Sequence, residues 1–125
     1  MHFSDLDVGY SFFEFAAENT SVEWAISSSD NEARVGTTSE EIFVEMPGVV
    51  GEKESYHSHD WKHSGAWSIS PADMTAAETA GSKGVTSGIY MAGERQYYML
   101  DCLQVPNGNF YLYQGRTMPS KFKTN

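Results

Sequence analysis

The sequence predicts an α+β domain in which a mixed or antiparallel sheet packs against two helices, and three observations carry that expectation. Helical periodicity is confined to two stretches, Phe12 to Ile26 and Pro71 to Ala80, each opened by a capping signature. Short runs that alternate with period two fill the rest, and they concentrate in the C-terminal third. Pro106-Asn107-Gly108-Asn109, set between two such runs, is a strong hairpin signal.

Taken in order, Asp5 to Tyr10 is polar and reads as irregular. Ser11-Phe12-Phe13-Glu14 has the form of a capping box, and Phe12, Phe15 and Ala16 then share one helical face, with an interruption near Asn19-Thr20-Ser21. Ser27 to Asn31 has the composition of a loop. Two short strands follow, Glu32 to Thr37 and Glu41 to Met46, the second with Ile42 and Val44 on one side, before Pro47-Gly48 breaks the run. Lys53 to His59 reads as a strand or its exit. Asp60 to Trp67 is too polar for a core strand, so Trp61 and Trp67 either line a groove or form a satellite core. Helix two stops before Gly81. The last strands are Ile89 to Ala92, Gln96 to Val105 and Asn109 to Gln114.

Size and charge narrow the function. A chain of 125 residues, 40% hydrophobic and 14% aromatic, suits one folded domain spanning 1–125, on whose single core any site must be built. No apolar run approaches a membrane span, and the start lacks a positive segment followed by an apolar one. A net charge of -9 disfavours a phosphate-tracking surface, so nucleic acid is an unfavoured partner. The acid is concentrated in residues 1–60, which either meet a basic partner or keep the domain soluble. Cys102 is the only cysteine, which excludes an internal disulfide and a cysteine zinc cluster. Within its apolar run it reads as a small core residue rather than a nucleophile.

The chemistry-bearing pattern is Tyr56-His57-Ser58-His59, followed by Ser70-Pro71-Ala72-Asp73. On a strand, residues i and i+2 point to the same face, so His57 and His59 can converge on one ion. Asp73, in the first turn of the following helix, can supply a third ligand and leave a tetrahedral corner open, as a catalytic zinc requires. Two imidazoles and a carboxylate suit Zn2+, with iron and manganese also compatible. His63 is the substitute ligand if Asp73 points away. The plainer reading of Ser70 and Asp73 is a helix start, with Ser70 as N-cap and Pro71 at the first helical position.

These two motifs resemble the His-x-His and Ser-x-x-Asp elements of the JAB/MPN (JAMM) metalloprotease fold, a cytidine-deaminase-like layered domain. Gly88-Ile89-Tyr90 and the run from Val105 to Tyr113 are similar to the end of JAB-like toxin domains in bacterial polymorphic and Rhs-type toxins. The resemblance covers about residues 12–114. It implies zinc on His57, His59 and Asp73, an oxyanion contact from Ser70, and an upstream glutamate that activates water. Glu32 is the preferred upstream carboxylate because it opens the first strand expected after helix one, with Glu41 and Glu45 as alternatives. The implied activity is hydrolysis of a peptide or isopeptide bond in a protein substrate. A metal-dependent nuclease and an inactive protein-binding JAB-like domain are the competing readings. The resemblance further implies delivery from a bacterium as the end of a larger effector, action in a reducing cytoplasm and an immunity protein as partner. Three departures stand out: Asp60-Trp61 replaces the family's proline after the second histidine, the gap from His59 to Ser70 is enlarged, and the distance from Glu32 to His57 is short.

Overall fold

The computed structural model describes residues 1–37, 49–59, 79–81, 83–104 and 110–121. Among these, seven strands form one mixed sheet: β1 (His2–Phe3), β2 (Ala25–Ser28), β3 (Ala33–Gly36), β4 (Glu54–His59), β5 (Thr86–Met91), β6 (Gln96–Gln104) and β7 (Phe110–Pro119). Their order is β1-β3-β2-β4-β5-β6-β7. Only the central β4–β5 pair is parallel; its neighbours on both sides are antiparallel. One helix, α1 (Leu6–Asn19), lies between β1 and β2 in sequence, and residues 79–81 are helical ahead of β5. The expected α+β class with a mixed sheet is therefore observed.

The helix begins six residues earlier than the sequence predicts and ends before Thr20. Asp5, not Ser11, is its N-cap: Oδ1 accepts from the amides of Asp7 at 2.9 Å and Val8 at 3.3 Å. At the other end, Asn19 Nδ2 donates to Phe15 O and Thr20 Oγ1 donates to Ala16 O, so side chains satisfy carbonyls that the helix itself cannot. Earlier capping turns Tyr10, Phe13 and Ala17 onto the sheet. Gly9 permits the close approach, because a Cβ there would stand 2.9 Å from that of Ala33 on β3.

Residues 25–28, part of which the sequence assigns to the first helix and part to a loop, form a fully buried central strand. Serine is small enough for that position and its hydroxyl can be satisfied internally: Ser28 Oγ pairs with Tyr10 OH at 2.8 Å. The expected strands at 32–37, 53–59, 96–105 and 109–114 correspond to β3, β4, β6 and β7, and β6 and β7 pair antiparallel as the hairpin signal requires. The expected 41–46 strand lies outside the described residues, as does the predicted second helix apart from its end.

Alternation divides the sheet into two chemically different faces. Ile26, Val35, Tyr56, Tyr90, Tyr97 and Met99 form the core under α1. Ile89, Met91 and Leu100 cluster separately, with Tyr98 against them. Since His57 pairs with Ile89 and His59 with Met91 in the parallel register, both histidines belong to that second face. Tyr56 and Ser58, between and beside them, point to the helix side.

Candidate metal centre

β4 carries His57 and His59 to its C-terminal end, with ring centroids 5.2 Å apart. Both are 8% exposed, and Nε2 of His57 is shielded from solvent. The third group is Glu23, which helical spacing puts inside the first helix but which the structure places ahead of β2. In the antiparallel register Ala25 faces His57, so continuing two residues brings Glu23 level with His59 and onto the same face. Glu23 is itself 7% exposed, and its Oε1 lies 3.7 Å from His59 Nε2.

One ligand atom from each of Glu23, His57 and His59 falls within 4.8 Å of the others, which makes a buried cluster that could hold a metal ion. A tetrahedral zinc with bonds of about 2.0–2.1 Å has its ligands roughly 3.4 Å apart. The 3.7 Å pair is close to that edge, and the remaining separations lie within 4.8 Å. The donor set is also chemically apt: two imidazoles and a carboxylate are ligands for zinc and its neighbours, and a buried carboxylate beside two imidazoles favours a cation between them.

The backbone around Glu23 is tied to both flanking strands. Ser58 N–H donates to Trp24 O at 2.8 Å, while Trp24 N–H donates to Ser58 Oγ at 2.9 Å. Thr37 Oγ1 donates to Glu23 O at 2.5 Å. The Trp24 ring packs edge-on against Phe12 at 5.7 Å, and its Nε1 donates to Thr20 Oγ1 at 2.8 Å.

Glu32 is not part of this cluster. It sits in the β2–β3 turn, where Ser29 N–H donates to its carbonyl, at the end of β2 that pairs with Glu54 rather than with His57. Three residue steps along β4, roughly 10 Å at 3.3 Å per residue, separate that level from His57. Its Oε2 instead accepts from His2 Nε2 at 3.0 Å. Glu32 thus stands away from the histidine pair, at the opposite end of β2. The first strand after the helix is β2, not β3, and the glutamate just ahead of it is Glu23. The signal was available: Val22-Glu23-Trp24-Ala25-Ile26 alternates directly after the Asn19-Thr20-Ser21 interruption.

The other candidates, Asp73, Ser70, His63, Trp61, Trp67, Glu41 and Glu45, lie outside the described residues. Cys102 falls on β6, as expected for its apolar run. No helix among the described residues is long and apolar enough to cross a membrane. No family model, curated protein or solved structure matches the chain.

Proposed function

We propose that the chain is a zinc-dependent hydrolase that cleaves a peptide or isopeptide bond, with Glu23 as general base. The observation that carries this reading is the convergence of Glu23, His57 and His59 on one buried patch of sheet. The JAB/MPN resemblance calls for an upstream glutamate, and Glu23, two residues ahead of β2, lies beside His59 and supports that role. His57 and His59 would hold the ion with Asp73 as third ligand by the same resemblance, which leaves Glu23, the carboxylate of the cluster, beside the ion as base rather than bound to it as ligand. When bound, zinc polarises a carbonyl and lowers the pKa of a coordinated water from about 16 towards about 7.

The chain's own residues account for proton traffic. Glu23 accepts a proton as water oxygen bonds to the carbonyl carbon, then returns it to nitrogen as the C–N bond breaks. Ser70 would donate to the developing oxyanion. The apolar neighbours Ile89 and Met91 lower the local dielectric and strengthen each of these contacts.

The test compares wild type with Glu23→Gln on candidate protein and isopeptide-linked substrates, with zinc content measured in parallel. Zinc retained in both and turnover reduced at least about 100-fold in the variant is the expected result, in the range for loss of a general base. Unchanged turnover removes Glu23 from the mechanism. Cleavage of DNA instead of protein would preserve the metal centre and replace the reaction.

A further inference from the structure

We infer that Ser58 and Thr37 are positioning residues for Glu23: their hydroxyls grip one peptide unit from opposite sides and thereby aim the Glu23 carboxylate at His59. This rests on the hydrolase reading, since the importance of that aim follows from the role given to Glu23.

The gripped unit is the planar group that joins Glu23 to Trp24. Its carbonyl accepts from Thr37 Oγ1 at 2.5 Å, just beyond β3, and its N–H donates to Ser58 Oγ at 2.9 Å, on β4. β3 and β4 flank β2 on either side, so the plane is held across the full width of three strands. In a regular antiparallel hydrogen-bonded pair the two residues would exchange backbone bonds in both directions. Here Ser58 N–H makes its half of the exchange with Trp24 O, whereas its hydroxyl takes the place of its carbonyl in the other half.

That substitution occurs where it matters. Regular pairing of β2 with both neighbours ends at Ala25, two residues after Glu23, so ladder bonds alone would leave the glutamate on a loosely held strand exit. Fixing the following peptide plane fixes the position of the Glu23 Cα and the direction of its Cα–C bond, which sets the origin from which the side chain reaches His59. Trp24 prevents the plane from sliding, because its ring is seated on Phe12 and its Nε1 is bonded to Thr20. Ser58 has a second consequence. Lying between His57 and His59 and 1% exposed, it ties the strand that carries both imidazoles directly to the segment that carries the carboxylate.

The test uses Ser58→Ala, Thr37→Val and the double variant, with Ser58→Thr and Thr37→Ser as hydroxyl-retaining controls. Crystal structures, zinc content, and kcat and KM on a substrate cut by wild type are compared. The clamp predicts that Glu23 Oε1 leaves the neighbourhood of His59 Nε2 in the hydroxyl-lacking variants while the histidine pair stays in place. Zinc is retained, kcat falls about 10–100-fold, as for loss of an outer-shell partner, and KM holds. The controls recover the wild-type position of Glu23 and part of kcat, and in a Glu23→Gln background the losses disappear. If Glu23 keeps its position in the double variant and only thermal stability declines, the hydroxyls merely finish the ladder and the inference is overturned. If wild type binds no zinc and cuts nothing, the hydrolase reading fails. The position of Glu23 in the variant structures still decides the clamp.

Discussion

Glu23 and Glu32 are both glutamates beside short strands, yet their substitution should have opposite consequences. Glu32 is partly exposed and bonded to an exposed His2, so Glu32→Gln should leave zinc content unchanged and shift stability by no more than about 1 kcal/mol, the range of surface ion pairs. Thermal melts and metal analysis of that variant check the expectation; a loss of zinc would mean that the two ends of the sheet communicate. His57 and His59 were legible because period two is a property of the strand itself and needs no tertiary knowledge. Glu23 was legible only through the short alternation from Val22 to Ile26, because its place depends on where a helix stops. That boundary is marked by Thr20 folding its hydroxyl back onto Ala16, which hydrophobic spacing does not report.

At the level of elements, the α1–β3 contact makes a sharp demand on one glycine. Gly9→Ala would gain about 1 kcal/mol of helix propensity. The new methyl would, however, meet the rigid Ala33 Cβ at 2.9 Å, and overpacking of this kind typically costs about 1–3 kcal/mol. The clash should win, giving a lower denaturation midpoint in urea; an unchanged or higher midpoint would show that α1 can lift off β3 freely. The same contact explains why β2 escaped sequence reading. Ser27-Ser28-Ser29 has loop composition, but once α1 covers the sheet, Tyr10 supplies the buried partner that lets Ser28 sit in a central strand. Polar composition signals a loop only where the polar groups have water as their partner. The β6–β7 hairpin needed no such information, since Asn107-Gly108 and the runs that flank it are local signals.

Across the whole molecule, stability is tied to a set of buried phenols. Tyr97 OH donates to Glu14 Oε2 at 2.6 Å and Tyr90 OH to Glu18 Oε2 at 2.5 Å, while Glu14 also accepts from Ser120 Oγ and from Lys121 N–H at 2.8 Å. Helix, central sheet and C-terminal segment therefore meet at one carboxylate. Tyr97→Phe should lower the unfolding free energy by about 1.5–3 kcal/mol, the range for a hydrogen bond to a charged group, as read from urea denaturation. A change within error would assign that corner to packing alone. Burial first, and then nearby carboxylates, hold Tyr90 and Tyr97 far above the usual phenol range; burial likewise raises Tyr10, against its bond to Ser28. The sign follows from linkage: a pKa raised in the folded state gives stability that is complete below the unfolded value, about 10, and is lost as pH climbs above it. The part of the tyrosinate absorbance owed to Tyr10, Tyr90 and Tyr97 should consequently appear together with the alkaline change in circular dichroism. Ionisation of these phenols ahead of unfolding would contradict the burial argument.

Metal stoichiometry decides whether His57 and His59 hold an ion. Wild type, His57→Ala and His59→Ala, each stripped, reconstituted with zinc and freed of excess, should separate cleanly. Wild type is predicted to retain about one zinc per chain, and each histidine variant well below that while keeping the wild-type circular dichroism spectrum. Equal zinc in all three proteins, or none in any after reconstitution, would contradict the account.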